Sequence, residues 1–144
     1  MQTLYIMQGV PGSGKSYLAQ LIQHGFDESM CVIYSTDDFF FVNGEYKHDV
    51  NKLVEYHNLN IERSIQALTE GKSVIVDNTN VHAWECKEYV KFAHSKGIPV
   101  VFVRVNGDFQ NTHGVPDHAV ERMKRKLENL TLETVLNSKA PWER

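Results

Sequence analysis

The sequence predicts a layered α/β fold: a mainly parallel sheet of four or five strands flanked by helices, formed by a single domain over residues 1–144. Three observations carry this expectation. Four short runs rich in β-branched residues, Leu4 to Met7, Val32 to Ser35, Val74 to Asp77 and Pro99 to Val105, have the length and near-continuous apolar character of buried parallel strands. Segments long enough for helices separate them. Strand and helix therefore alternate along a chain whose 144 residues suit one core.

Taken in order, the first helix is expected from near Lys15, directly after the first strand and a glycine-rich loop. A second begins near Asp49, where Leu53, Val54, Ile61, Ile65 and Leu68 recur at three-to-four spacing and Gly71 stands where a C-cap belongs. The third begins near Trp84, and its Trp84 and Tyr89 read as core rather than as a base-stacking pair. Pro116 suits the first turn of a last helix whose apolar stripe is Ala119, Val120, Met123, Leu127 and Leu130. The Asn43-Gly44 and Asn106-Gly107 pairs mark loops.

Composition narrows the class further. Hydrophobic residues are 42% and charged residues 23%, values of an ordinary globular protein rather than a disordered or fibrous one. The longest apolar run, Ile98 to Val103, is far shorter than a membrane span, and the amino end has no basic leader, so a cytoplasmic protein is expected. A net charge of −3 disfavours a general nucleic-acid binder, although basic residues concentrate late in the chain: 5 in residues 1–72 against 10 in 73–144. Arg122, Lys124, Arg125 and Lys126 form the densest cluster, flanked by Glu121 and Glu128 as on a solvated helix face. Cys31 and Cys86 are too few for a disulfide framework, and the seven histidines show no metal-ligand spacing.

The decisive signal follows the first strand. Gly9-Val10-Pro11-Gly12-Ser13-Gly14-Lys15-Ser16 satisfies G-x-x-x-x-G-K-[ST] in its strand-loop-helix setting, a phosphate-binding P-loop. Glycines let backbone N–H groups approach phosphate oxygens, and the helix amino end adds positive potential. Residues 9–17, through Tyr17, are thus expected to bind ATP, with Lys15 reaching the β- and γ-phosphates and Ser16 holding Mg²⁺. No guanine-reading N-K-x-D phrase occurs. Asp77, closing the third strand run, stands where a second acid reaches the metal at the carboxyl edge of a parallel sheet.

The second strand run ends in Ser35-Thr36-Asp37-Asp38, two carboxylates at the same rim. Transfer of a phosphoryl group to a hydroxyl needs a base for the hydroxyl proton, and Asp37 is the candidate; Asp38 reads as a capping or turn residue that still sits on the acceptor side. Together, GVPGSGKS, STDD, Asp77-Asn78-Thr79-Asn80 and the Asn111-to-Pro116 phrase NTHGVP resemble the polynucleotide 5′-hydroxyl kinase-like group of P-loop ATPases, over residues 3 to about 130. The resemblance implies Asp37 as general base and Asn78, Thr79 and Asn80 as the acceptor pocket, with His57 and Asn60 as a further family-like pair. It implies an ATP-dependent kinase whose acceptor is a nucleic acid 5′-hydroxyl, a nucleotide or a related small molecule.

The chain also departs from the group. Relatives usually carry Arg before the Asn of NxHGVP, on a lid over the phosphates, where this chain has Gln110, and the stretch Asn106 to Gln110 is short for a lid helix. Cations that stabilise transferring phosphoryl groups are worth about 10³–10⁵ in rate. Arg104, Arg122 and Arg125 are candidate substitutes. Two other readings stay open: an ATP-binding regulatory module or slow ATPase with a degenerate lid, and a small-molecule kinase for a sugar-nucleotide or antibiotic hydroxyl.

Overall fold

A computed structural model of the protein describes residues 1–27, 29–107 and 115–143. Strand β1 (Leu4–Gln8) runs through the glycine-rich loop into α1 (Lys15–Gln23), and β2 (Cys31–Tyr34) follows. A 3-10 turn over Thr36–Phe40 leads into a small hairpin, β3 (Phe41–Val42) and β4 (Glu45–Tyr46), then into α2 (Leu53–Thr69). The remainder is β5 (Ser73–Val76), α3 (Lys87–Ser95), β6 (Val100–Arg104), α4 (Asp117–Lys126) and α5 (Leu132–Leu136). The main sheet has four strands in the order β2-β5-β1-β6, all parallel, within the expected four or five.

Side-chain alternation divides the core between the two sheet faces. Leu4, Ile6, Val74 and Val76 point to one side and pack on Ala67 and Leu68 of α2, Tyr89, Val90 and Ala93 of α3, and Val135 of α5. Met7, Cys31 and Ile75 point to the other, against Ala19 of α1. Tyr89 is fully buried, as expected of a core residue, and its hydroxyl accepts a hydrogen bond from Asn60 Nδ2 at 2.9 Å. Both cysteines are buried and unpaired; burial pushes the thiol of Cys31 up to about 11 and that of Cys86 to about 12.

Several boundaries differ from expectation for physical reasons. Helix α2 is prefaced by a 3-10 turn at Val50–Lys52 capped by Asp49, whose side chain accepts from Asn51 N. Its amino-terminal residues do not join the core: Val54 is 74% exposed and Leu53 43%, whereas Ile61 and Leu68 pack on the sheet. The first turns of α2 border the site described below instead. Pro116 sits at the N-cap of α4, one position before its first turn. The helix ends at Lys126, so Leu127 caps it and Leu130 packs into the core from the following segment. Thr131 then starts α5 through a hydrogen bond from Thr134 N to its hydroxyl.

The topology fixes the location of chemistry. Strands β1 and β5 are neighbours at the sheet centre, paired Ile6 to Val76, and β2 flanks β5 with Tyr34 opposite Val76. Chain leaving the carboxyl ends of all three therefore meets at one rim.

Candidate active site

The loop after β1 is shaped by its glycines. Gly12 and Gly14 have φ of 85° and 93°, left-handed conformations that side chains with a Cβ rarely adopt, and Gly14 starts α1. Gly9 is needed for space. A Cβ there would lie 2.5 Å from Ser13 Oγ and 2.9 Å from the Val105 carbonyl oxygen.

Inside this loop, Ser16 Oγ donates to Asp77 Oδ2 at 2.7 Å and Lys15 Nζ stands 3.5 Å from Asp77 Oδ1. Asp77 is only 8% exposed, so removing either partner would leave a carboxylate short of compensation in a poorly hydrated place. Ser13 Oγ and Asp77 Oδ1 are buried without a hydrogen-bond partner in the chain. Unsatisfied polar atoms beside an ammonium suit a ligand that brings its own oxygens and charge. The oxygen donors of Ser16 and Asp77 fit a hard cation such as Mg²⁺, which takes few protein ligands and completes its shell with phosphates and water. Among the described residues no group of three or more His, Cys, Asp or Glu could hold a metal.

The segment after β5 is bolted to this loop. Gly9 N donates to the Thr79 carbonyl at 3.1 Å, Asn80 Nδ2 donates to the Met7 carbonyl at 2.7 Å, and Gln8 Nε2 donates to the Asn80 carbonyl at 3.0 Å. Asn80, at φ 47°, is 1% exposed. Asn78 faces the other way: its Oδ1 accepts from Thr36 N at 2.9 Å and its Nδ2 donates to Thr36 Oγ1 at 3.2 Å. The amides of Asn78 and Asn80 thus tie β5 to the turn after β2 and to β1, although both residues also border the cleft.

That turn carries the two adjacent carboxylates. Ser35 caps it, its Oγ accepting from Asp37 N at 3.2 Å. Asp37 lines the cleft, and Tyr46 OH donates to its Oδ1 at 3.2 Å. Burial, with the Asp37 charge second, raises the Tyr46 phenol to about 12, so it remains a donor at neutral pH. Asp38 is not at the cleft; its Oδ2 accepts from Ser35 N at 3.2 Å and pairs with Arg63 Nη2 at 2.8 Å. The acceptor-side expectation for Asp38 is corrected by that geometry, which spends its carboxylate on the turn.

Arg63 has no counterpart among the residues singled out from sequence. From α2 it donates to the Ser35 carbonyl at 3.0 Å and to Asn60 Oδ1 at 2.9 Å, with its guanidinium 4.1 Å from the Tyr34 ring centroid and 4.4 Å from that of Phe39. Sequence distance hid it. The hairpin is a further element beyond the sequence expectation of a loop there: Asn43-Gly44, between Val42 and Glu45 with φ of 53° and 82°, is the signal for a two-residue turn. His57 borders the cleft with Nδ1 3.4 Å from Thr36 Oγ1. Burial lowers its pKa, outweighing a hydrogen bond to the Glu85 backbone, which favours a neutral ring.

A cleft of about 310 Å³ connects these parts. Pro11, Lys15 and Asp77 border it, and so do Asp37, Tyr46 and His57. Of the candidate arginines, Arg122 lines an adjoining depression, whereas Arg104 and Arg125 are exposed and border neither space. Tyr17 is likewise exposed, on the outside of α1. Gln110 and residues Asn111 to Gly114 lie outside the described residues.

Comparison with known proteins agrees with this geometry. The sequence profile of the AAA domain matches residues 4–110, most of the chain. The chain belongs to this family of P-loop NTPases and kinases. It is 35% identical to human NEDD4-binding protein 2 over 149 aligned residues, covering 96% of the chain but spanning only 8% of that relative. Among solved structures, it resembles a chain in the Pnkp1/Rnl/Hen1 complex, with a TM-score of 0.61, 20% identity, 99% of this chain covered and 43% of that one. It also resembles a variant of the Mycobacterium tuberculosis APS kinase CysC, with a TM-score of 0.54, 17% identity and coverage of 89% and 98%. These likenesses place the P-loop kinase fold. No helix among the described residues is long and apolar enough to cross a membrane.

Proposed function

We propose that this chain is a Mg²⁺- and ATP-dependent phosphotransferase that moves the γ-phosphoryl group to a hydroxyl, with the 5′-hydroxyl of a nucleic acid as its leading acceptor. The carrying observation is that Lys15, Asp77 and Asp37 all border one cleft. A transferase requires a phosphate grip and a proton acceptor on one enclosed volume. Kinase likenesses, one of them to a chain of an RNA repair complex, support the reading.

In this mechanism the backbone N–H groups of the loop from Gly9 to Ser16 would hold the triphosphate, and the Lys15 ammonium, 3.5 Å from Asp77 Oδ1 in the unliganded chain, would serve the β- and γ-oxygens. Ser16 and Asp77 are the residues that would hold a magnesium ion, which when bound would supply neutralising charge to the phosphates. Asp37 accepts the acceptor hydroxyl's proton as that oxygen bonds to the γ-phosphorus and the bond from phosphorus to the β–γ bridging oxygen breaks, releasing ADP, while Tyr46 fixes one oxygen of Asp37. Arg63 and Asn78 keep the supporting turn in place. Incubation with γ-labelled ATP, magnesium and a 5′-hydroxyl oligonucleotide should label the oligonucleotide. Label appearing only as inorganic phosphate, with every hydroxyl acceptor tried, overturns transfer in favour of a slow ATPase.

A further inference from the structure

Beside the cleft a second depression of about 370 Å³ opens, continuous with the first because Thr79, Glu85 and Met123 border both. Arg122 and Lys126 stand on its α4 side, four residues apart and so on one helix face. On its other side, His82 begins a run of rings that leads outward. The His82 and Trp84 rings lie 6.3 Å apart and nearly parallel, at 7°, and Trp84 meets Trp142 edge-on at 5.1 Å. Trp142 is 74% exposed, an unusual state for so large an apolar surface.

The nearby acids are already engaged. Glu128 accepts from Ala83 N at 2.7 Å through one oxygen and lies 3.4 Å from His82 Nδ1 through the other. Glu85 accepts from His82 N at 2.7 Å, and burial raises its pKa. Two cations beside carboxylates already hydrogen-bonded within the chain, next to the half-buried Trp84 and the exposed Trp142, match the chemistry of a flexible polyanion with flat bases. A protein partner would have less use for paired cations at the mouth of a phosphotransfer cleft.

We propose that this depression and the Trp84–Trp142 ridge bind the nucleotides downstream of the reacting end of a single-stranded nucleic acid, phosphates on Arg122 and Lys126 and bases on the rings. The assignment rests on the phosphotransfer reading for which end enters the cleft, but binding is measurable without transfer. It also reconciles a net charge of −3 with a polymer substrate, since the positive charge required is local.

The chain contains two tryptophans, both on this ridge, so its intrinsic fluorescence reports the surface directly. Titration of the full chain at low salt with a short single-stranded oligonucleotide should quench that fluorescence, and a mononucleotide at equal phosphate concentration should not. By anisotropy of a labelled oligomer, the double variant Lys126→Ala, Trp142→Leu should bind roughly tenfold more weakly, the loss of one stacked base and one phosphate contact. Both residues are exposed, and unchanged ATP binding by the variant verifies its fold. Absence of quenching, equal quenching by mononucleotide and oligomer, or undiminished binding by the double variant each overturns the surface. If quenching and its loss occur but no acceptor is phosphorylated, the surface stands and the phosphotransfer reading falls; phosphorylation without quenching leaves transfer standing and removes the surface.

Discussion

The two walls of the cleft are built on different principles. The phosphate wall is backbone: two left-handed glycines, a third with no room for a methyl, and a helix amino end, with Lys15, Ser16 and Asp77 as the side chains that matter. The side that carries Asp37, the proposed acceptor side, is held by side chains, several of them distant in sequence. Asp37 is positioned through Ser35, Asn78, Tyr46 and, behind the turn, Arg63, residues separated by up to 43 positions along the chain. A grip on triphosphate is common to many reactions, so rigid main chain serves it; an acceptor site must differ between reactions, and side chains can be exchanged without refolding the sheet.

Substitutions can break this contrast, and the largest expected effect is at Asp37, the proposed proton acceptor. Asp37→Asn should lower kcat by about 10²–10⁴ while ATP binding persists by calorimetry; loss of both together would mean the walls are not separable. Lys15→Ala should lower transfer about 10²–10³-fold, as expected for removing one charge-stabilising group, and should also weaken ATP affinity. Next is Arg63→Lys, which keeps the charge but loses the planar donor fork and its contacts with two rings. We expect about a tenfold fall in kcat with the KM for ATP unchanged, since a small displacement of the base is costly. A KM shift for ATP instead would link Arg63 to the phosphate wall.

The remaining two tests concern stability. Gly9→Ala should cost about 1–3 kcal/mol in denaturant unfolding, the usual range for overpacking, because backbone as well as a side-chain tip stands in the way. His57 gives the smallest effect. Its folded pKa lies below its unfolded value, so the folded protein binds the proton less readily; the associated stability is present above the ordinary histidine range and declines as pH falls through it. As the pH is lowered from above that range to below it, His57→Gln should therefore lose less of its unfolding midpoint than the unchanged chain.

The same contrast decides what could be read from sequence. The sheet strands and the loop at residues 9–16 were legible because each is encoded by neighbouring residues, apolar runs in one case and a fixed spacing in the other. The placement of Asp37 and Asp77 beside one cleft was legible because both follow strands of a parallel sheet. Arg63 was not, because nothing local distinguishes it from any other basic residue on a helix; its role exists only once Tyr34, Ser35 and Phe39 are brought to it. Leu53 and Val54 fit the helical apolar stripe but lie beyond the region the sheet can cover. Asn78 and Asn80 were located at the site, while their amides proved to bind the chain itself.

The buried thiols have a practical consequence. With Cys31 raised to about 11, only about one molecule in 10⁴ carries a thiolate there at pH 7, and fewer still at Cys86. Alkylating reagents should therefore pass over both native positions while the chain is folded. A probe attached through a cysteine introduced on the exposed hairpin would follow movement of the acceptor wall against a silent background, with no need to remove the natural sulfur atoms first.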